Sequence, residues 1–147
     1  MIDFEIREAT HKDIPSLLEL EQSFLAPWPQ NYIEYELGGN PVNTFLVITL
    51  MDKVIGFIDY WITFDSATIS QIAISNQYRR RGLATKLLQE MYDDCYAKRV
   101  RNITLEVRTE NKSAVFLYEK FGFKTVLTKP HYYDNGDDAF YMLLEVK

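Results

Sequence analysis

The chain has 147 residues, 47% of them hydrophobic and 25% charged, with a formal net charge of −5. That length predicts one domain, residues 1–147, with a sizeable core; the acidic balance argues against nucleic acid as a partner and for a basic peptide or amine. One cysteine, Cys95, excludes an intrachain disulfide, no apolar run reaches membrane-spanning length, and Met1-Ile-Asp-Phe-Glu lacks a secretory signal's basic and apolar regions, so no membrane and a reducing cytoplasm are expected.

Ile2, Phe4 and Ile6 alternate with charged residues and predict a strand. Thr10-His-Lys-Asp13 reads as a capping box, with Pro15 early in the helix that follows. Ile14, Leu17, Leu18 and Phe24 or Leu25 continue that helix's apolar face, and Pro27 and Pro29 around Trp28 break it. A short helix is expected from about Asn31 to Leu37, stopped by Gly38-Gly39. Thr44–Leu50, Val54–Thr63 and Ala67–Ser75 predict an antiparallel meander turning at Met51-Asp52 and Asp65-Ser66.

A helix from Gly82 carries Ala84, Leu87, Leu88, Met91 and Cys95 on one face, and Cys95 reads as a small buried hydrophobe. Arg101–Arg108 is a strand with Ile103, Leu105 and Val107 on one face and Thr104, Glu106 and Arg108 on the other. Asn111 is a plausible cap for a helix bearing Ala114, Leu117, Tyr118 and Phe121, which Gly122 ends. Strands near Phe123–Leu127 and Ala139–Val146 close the chain. The order predicts a central α/β sheet with helices on both faces and a right-handed crossover between Ile69 and Val107.

The chemistry concentrates in Gln71-Ile-Ala-Ile-Ser-Asn-Gln-Tyr-Arg-Arg-Arg-Gly-Leu-Ala-Thr-Lys-Leu-Leu88. A strand runs through a basic turn into a helix, and helix-initial N–H groups have no intrahelical acceptor. Gly82 and Ala84 leave the backbone open to a phosphate, and Arg79, Arg80 and Arg81 add charge. The ligand expected there bears phosphate. His11, His131 and Cys95 show no metal-ligand spacing, and neither a Gly-x-Ser-x-Gly elbow nor a Walker motif is present.

Arg79-x-x-Gly82-x-Ala84 fits the [Gln/Arg]-x-x-Gly-x-[Gly/Ala] signature of the GNAT acetyltransferases. With Leu105-Glu-Val-Arg108, Asn111, Leu117-Tyr-Glu-Lys-Phe-Gly-Phe123, Tyr132-Tyr133, Asp138-Ala139 and Met142, and Trp28 after a proline, the chain resembles the RimI-type protein N-terminal acetyltransferases along nearly its whole length. The resemblance implies the GNAT fold: a mixed, largely antiparallel sheet of about seven strands, four helices on both faces, and a splay between two central parallel strands.

It implies acetyl-coenzyme A as cosubstrate and no metal. The pyrophosphate would lie on the backbone from Arg80 or Arg81 through Gly82, Leu83 and Ala84 to Thr85, the pantetheine along Ile72, Ala73 and Ile74, with the Ile74 N–H facing the developing oxyanion. Asn111 would hold the pantetheine or cap its helix. Glu106 stands where the family keeps its base, the alternative being a surface charge paired with Arg108 or a lysine. Tyr118 stands where the family tyrosine faces the coenzyme sulfur, and a phenol of pKa about 10 is a reasonable donor to a thiolate of pKa about 8.5.

Deprotonating an α-amine at pH 7 costs roughly 1 kcal/mol and a lysine amine about 4.6, so one carboxylate base suits an N-terminal amine better. RimI-type enzymes act on the N-terminal alanine of a ribosomal protein, a basic target that Asp134-Asn-Gly-Asp-Asp138, Glu34 and Glu36 could meet. Trp28, Tyr32, Tyr132 and Tyr133 are candidate peptide-groove residues. Lys129-Pro130-His131 departs from the subfamily, where a basic residue plus asparagine precedes the tyrosines. A small-molecule amine or lysine acceptor, or a silent acyl-coenzyme A sensor, are the rival readings. A monomer or weak homodimer is expected.

Overall fold

The computed structural model describes residues 3–147, so Ile2 of the first predicted strand lies outside the described residues. The elements are β1 (Phe4–Glu8), α1 (Ile14–Glu21), α2 (Gln30–Gly38), β2 (Asn43–Leu50), β3 (Lys53–Thr63), β4 (Ser66–Ile74), α3 (Leu83–Ala97), β5 (Asn102–Arg108), α4 (Lys112–Phe121), β6 (Lys124–Lys129) and β7 (Ala139–Glu145). The strands form one mixed sheet in the order β1-β2-β3-β4-β5-β7-β6, with β4 and β5 parallel. The order and types of the elements are those the periodicity predicts. The chain divides into two compact units, Met1–Trp61 with Ser70–Met91, and Ile62–Ile69 with Tyr92–Lys147.

In the first unit β1 and β3 flank β2, both antiparallel to it. Phe45 and Val47 of β2, two apart on one face, and Val54 and Phe57 of β3, on either side of the register shift opposite Ile48 and Thr49, are buried with Leu17 of α1 and Ile33 of α2. The predicted capping box forms: the Thr10 N–H donates to Asp13 Oδ2 at 2.8 Å, and Asp13 also receives two Arg7 bonds at 2.8 Å. α1 stops at Glu21 rather than reaching Phe24, because the chain tightens into turns in which Gln22 and Phe24 donate to Glu19 and Glu21. Met51 and Asp52 turn at φ of 50° and 67°, the left-handed pair that suits the twist of a two-residue hairpin.

In the second unit β5 alternates as expected, with Ile103, Leu105 and Val107 buried and Thr104, Glu106 and Arg108 half-buried. The parallel ladder pairs Ser66, Ala67 and Thr68 with Asn102, Ile103 and Thr104, and the two threonine hydroxyls lie 3.2 Å apart. The turn before β4 falls on Phe64 and Asp65, one residue earlier than predicted. Phe64 takes φ 56° and is fully exposed, while Ser66 already belongs to the strand. Cys95 is buried, and burial pushes its thiol up to about 12, so it packs as a hydrophobe.

Gly56 on β3 is where the first unit has no room. A Cβ there would lie 2.8 Å from the Ala73 carbonyl oxygen and 2.6 Å from Ile74 Cδ1. The first of these is backbone and cannot rotate away. Gly56→Ala should therefore destabilise the protein by about 1–3 kcal/mol in urea unfolding, with strand β4 displaced.

Candidate active site

Beyond β4 the chain passes a 3-10 turn at Asn76–Tyr78 and reaches the three arginines. Arg80 at φ 64° and Gly82 at φ 75° reverse the backbone, and nothing lies within 4 Å of where a Gly82 Cβ would sit. The first hydrogen bond back into α3 is Lys86 N–H to the Gly82 carbonyl, 3.1 Å, so the preceding N–H groups of Leu83, Ala84 and Thr85 have no partner within the helix. Arg79, Arg80 and Arg81 are exposed. Arg79 Nε donates to the Ile74 carbonyl at 3.2 Å, and the Arg81 guanidinium sits 5.5 Å from the centre of the Tyr78 ring. Along β4, Ala73 is buried and Ile72 and Ile74 are half-buried.

Between α1 and α2, Trp28 meets Tyr32 edge-on, ring centres 4.8 Å apart. Both side chains are half-buried beside a feature that sequence reasoning missed. Glu21, Glu36 and Asp59, each at most 1% exposed, are buried in the first unit, and among the described residues the donors bonded to them are neutral. Glu21 accepts from the Trp28 N–H at 2.8 Å and from Gln71 Nε2 at 3.3 Å; burial raises its carboxyl. Glu36, expected on an acidic surface, instead accepts from Trp61 Nε1 and Asn40 Nδ2, both at 2.6 Å.

Asp59 Oδ1 accepts from Asn43 at 3.1 Å, and among the described residues Oδ2 has no hydrogen-bond partner. Burial, and the Glu36 carboxyl against it, push Asp59 up to about 10. A carboxyl that keeps its proton has a hydrogen to offer toward Glu36, whose carboxyl is one cause of the shift. The sequence signal for it was Asp59 within the otherwise apolar run Val54–Ile62.

In the second unit Glu106 projects from the half-buried face of β5. Its partner is Lys129, with Nζ 2.6 Å from Oε2, whereas Arg108 pairs with Asp137 at 2.8 Å. Tyr132 and Tyr133 stack edge-on with centres 5.0 Å apart. Burial, followed by the Glu106 carboxylate for Tyr132 and by Tyr132 for Tyr133, raises both phenols. Tyr118 of α4 is buried against Phe123, ring centres 5.8 Å apart, and burial lifts its phenol well above the ordinary value. Asn111 caps α4, its side chain accepting from the Ala114 N–H at 3.3 Å. In the acidic loop, Asp138 accepts from the His131 N–H and Asp137 from Asn135.

Residues 13–123 match the Acetyltransferase (GNAT) family. The chain belongs to the GNAT acetyltransferases. Two relatives place it further within the family. A Bacillus subtilis (strain 168) protein, provisionally assigned as a [ribosomal protein bS18]-alanine N-acetyltransferase, is 36% identical over 96% of this chain and 95% of its own length. The [ribosomal protein bS18]-alanine N-acetyltransferase of Escherichia coli (strain K12) is 31% identical over 91% of this chain and 92% of its own. The crystal structure of the Escherichia coli ribosomal-protein-S18-alanine N-acetyltransferase superposes with a TM-score of 0.89 at 28% identity, covering 99% of this chain and 95% of that one. Among the described residues no group of three or more His, Cys, Asp or Glu could hold a metal, and no helix is long and apolar enough to cross a membrane.

The buried carboxyl makes the stability of this GNAT protein pH-dependent in a defined direction. Folded Asp59 keeps its proton up to about pH 10, whereas the unfolded chain releases it above about pH 4. The folded state thus binds more protons between those values, and stability falls as pH rises through that window. Asp59→Asn supplies a permanent N–H donor. It should be more stable than the parent by about 1–3 kcal/mol at pH 8, and the gap should narrow toward pH 5 in urea unfolding.

Proposed function

We propose that this protein transfers acetyl from acetyl-coenzyme A to the N-terminal α-amine of a ribosomal protein, an alanine in a basic segment. The observation that carries this reading is the 36% identity along 96% of the chain to a relative assigned to ribosomal protein bS18-alanine acetylation. The residues fit the coenzyme. Left-handed Arg80 and Gly82, with open space at Gly82, leave main-chain N–H groups bare for a pyrophosphate. Bound there, acetyl-coenzyme A supplies an activated acyl thioester. Arg79 restrains the end of β4 by holding the Ile74 carbonyl.

Glu106 takes the proton that the α-ammonium must lose before its nitrogen can attack. The cost is roughly 1 kcal/mol at pH 7 for an α-amine, within reach of a single carboxylate. Tyr118 faces the departing sulfur. Its raised phenol stays protonated at working pH, so it always has a hydrogen to give; transfer runs uphill against a thiol of pKa about 8.5, which makes it a hydrogen-bond donor first and a full acid second. Trp28, Tyr32, Tyr132 and Tyr133 contact the acceptor peptide, and the −5 charge favours a basic one.

Intact-mass analysis of alanine-initiated basic peptides incubated with protein and acetyl-coenzyme A tests the reading. A 42-dalton gain on the α-amine, against none on a panel of polyamines and amino acids, is expected. Glu106→Gln should lower kcat by about 100-fold or more while leaving coenzyme affinity as it was. Equal losses in both would remove its role as base. Tyr118→Phe should slow thiol release on every acceptor, and an unchanged rate would take Tyr118 out of the mechanism.

A further inference from the structure

The contact at Glu106 has a second meaning. Lys129 Nζ lies 2.6 Å from Glu106 Oε2, 5.3 Å from the centre of the Tyr132 ring and 5.0 Å from that of Tyr141. A carboxylate with two aromatic faces is a seat for an ammonium ion. The chain fills it with an ammonium of its own.

The backbone is arranged to bring this about. Glu106 is paired with Tyr141 across β5 and β7, and Lys129 with Ala139 across β6 and β7. Residues opposite one another share a sheet face, and so do residues two apart. Glu106, Tyr141, Ala139 and Lys129 therefore lie on one face. Lys129 belongs there only because the β6–β7 register shifts between Thr125 and Leu127, leaving Val126 as the extra residue of a bulge. Continued from Thr125↔Met142 without that extra residue, the pairing would set Thr128 opposite Ala139 and turn Lys129 to the other face.

We propose that Lys129 is a resident cation in the seat the acceptor's amine must enter, so that an acceptor binds by displacing it and Lys129 sets acceptor affinity. This rests on Glu106 being the base. Lys129 is an occupant rather than a substrate. The hydrogen bond it donates to Glu106 raises its pKa, keeping it an ammonium with no lone pair to attack a thioester. The side chain is 38% exposed, against 23% for Glu106, so it can swing into water when a better-anchored cation arrives. Lys129 thus raises the concentration at which any amine fills the seat, and an acceptor that brings further contacts fills it at a lower one.

Two measurements test this. In steady-state thiol release with an alanine-initiated basic peptide, Lys129→Met should lower KM at least about threefold with kcat within about twofold of the parent, and Lys129→Arg should restore the parental KM. A Lys129→Met protein with reduced kcat and unchanged KM would overturn the proposal, since Lys129 would then serve Glu106 in the reaction. The second measurement needs no turnover. In protein labelled with [15N]lysine, the Lys129 ammonium resonance should shift on titration with propylammonium chloride, and the Glu106→Gln protein should lack that response. A resonance that does not move, or acetylation of Lys129 found by mass spectrometry, would also overturn it. If propylammonium displaces Lys129 while no peptide is acetylated, the seat stands and the acceptor assignment falls; if the peptide is acetylated with the same KM in both proteins, the reverse holds.

Discussion

A carboxylate on a half-buried strand face must find a cation or remain in water, and β5 offers Glu106 both. Alternation along the strand sends Ile103, Leu105 and Val107 into the core and leaves Glu106 on the opposite face. There the β5–β7 register sets Tyr141 opposite it and the β6 bulge delivers Lys129. The pair is not a stability device: at that exposure an ion pair contributes little to folding. Its value lies in holding an ammonium against both a carboxylate and the faces of Tyr132 and Tyr141, an arrangement that an incoming ammonium can share. The base proposed for acetyl transfer is this carboxylate, and a one-residue slip in the β6–β7 ladder would turn Lys129 away from it.

The first unit solves the opposite problem. Glu21, Glu36 and Asp59 are buried, and the donors bonded to them are neutral: a backbone N–H, an indole, and the amides of Asn40, Asn43 and Gln71. These bonds tie the end of α1 to β4 through Gln71, and α2 to β3 through Trp61. Burying carboxyls in this way is costly unless they are neutral or fully bonded. Asp59 meets the condition by keeping its proton. The arrangement fixes the segment bearing Trp28 and Tyr32 by hydrogen bonds that have direction, which apolar packing alone would not supply.

Most of the fold could be read from the chain because its elements are locally consistent. Thr10 and Asp13 form their capping box, Asn111 and Gly122 bracket α4, and β5 alternates without interruption. The misses have local physical causes. α1 ends early because 22–24 close into turns, although Phe24 still packs on the first unit's core and so imitates a longer helix. The hairpin before β4 turns at Phe64, a bulky residue at positive φ that no turn preference would select. Glu36 was misplaced because a carboxylate in a short polar helix reads as solvated; only the distant Trp61 reveals its burial. Lys129 was legible as a departure from the subfamily pattern, but its meaning was not. A bulge decides which face a side chain takes, and Val126 gives no local sign of one.

The pKa gap between two kinds of amine explains how one seat can hold an inert lysine and a reactive acceptor. A lysine ammonium hydrogen-bonded to Glu106 is driven further from losing its proton, so proximity to the base protects it from reaction. An α-ammonium starts about 2.5 pKa units lower, so under the proposed role of Glu106 the carboxylate that only binds the first would deprotonate the second. With Glu106 as the proposed base, binding and catalysis there would be separated by the acceptor's own acidity rather than by a change in the protein. On this reading a side-chain amine that displaced Lys129 would occupy the seat as Lys129 does, bound and unreacted, and selectivity for chain termini needs no further residue to enforce it.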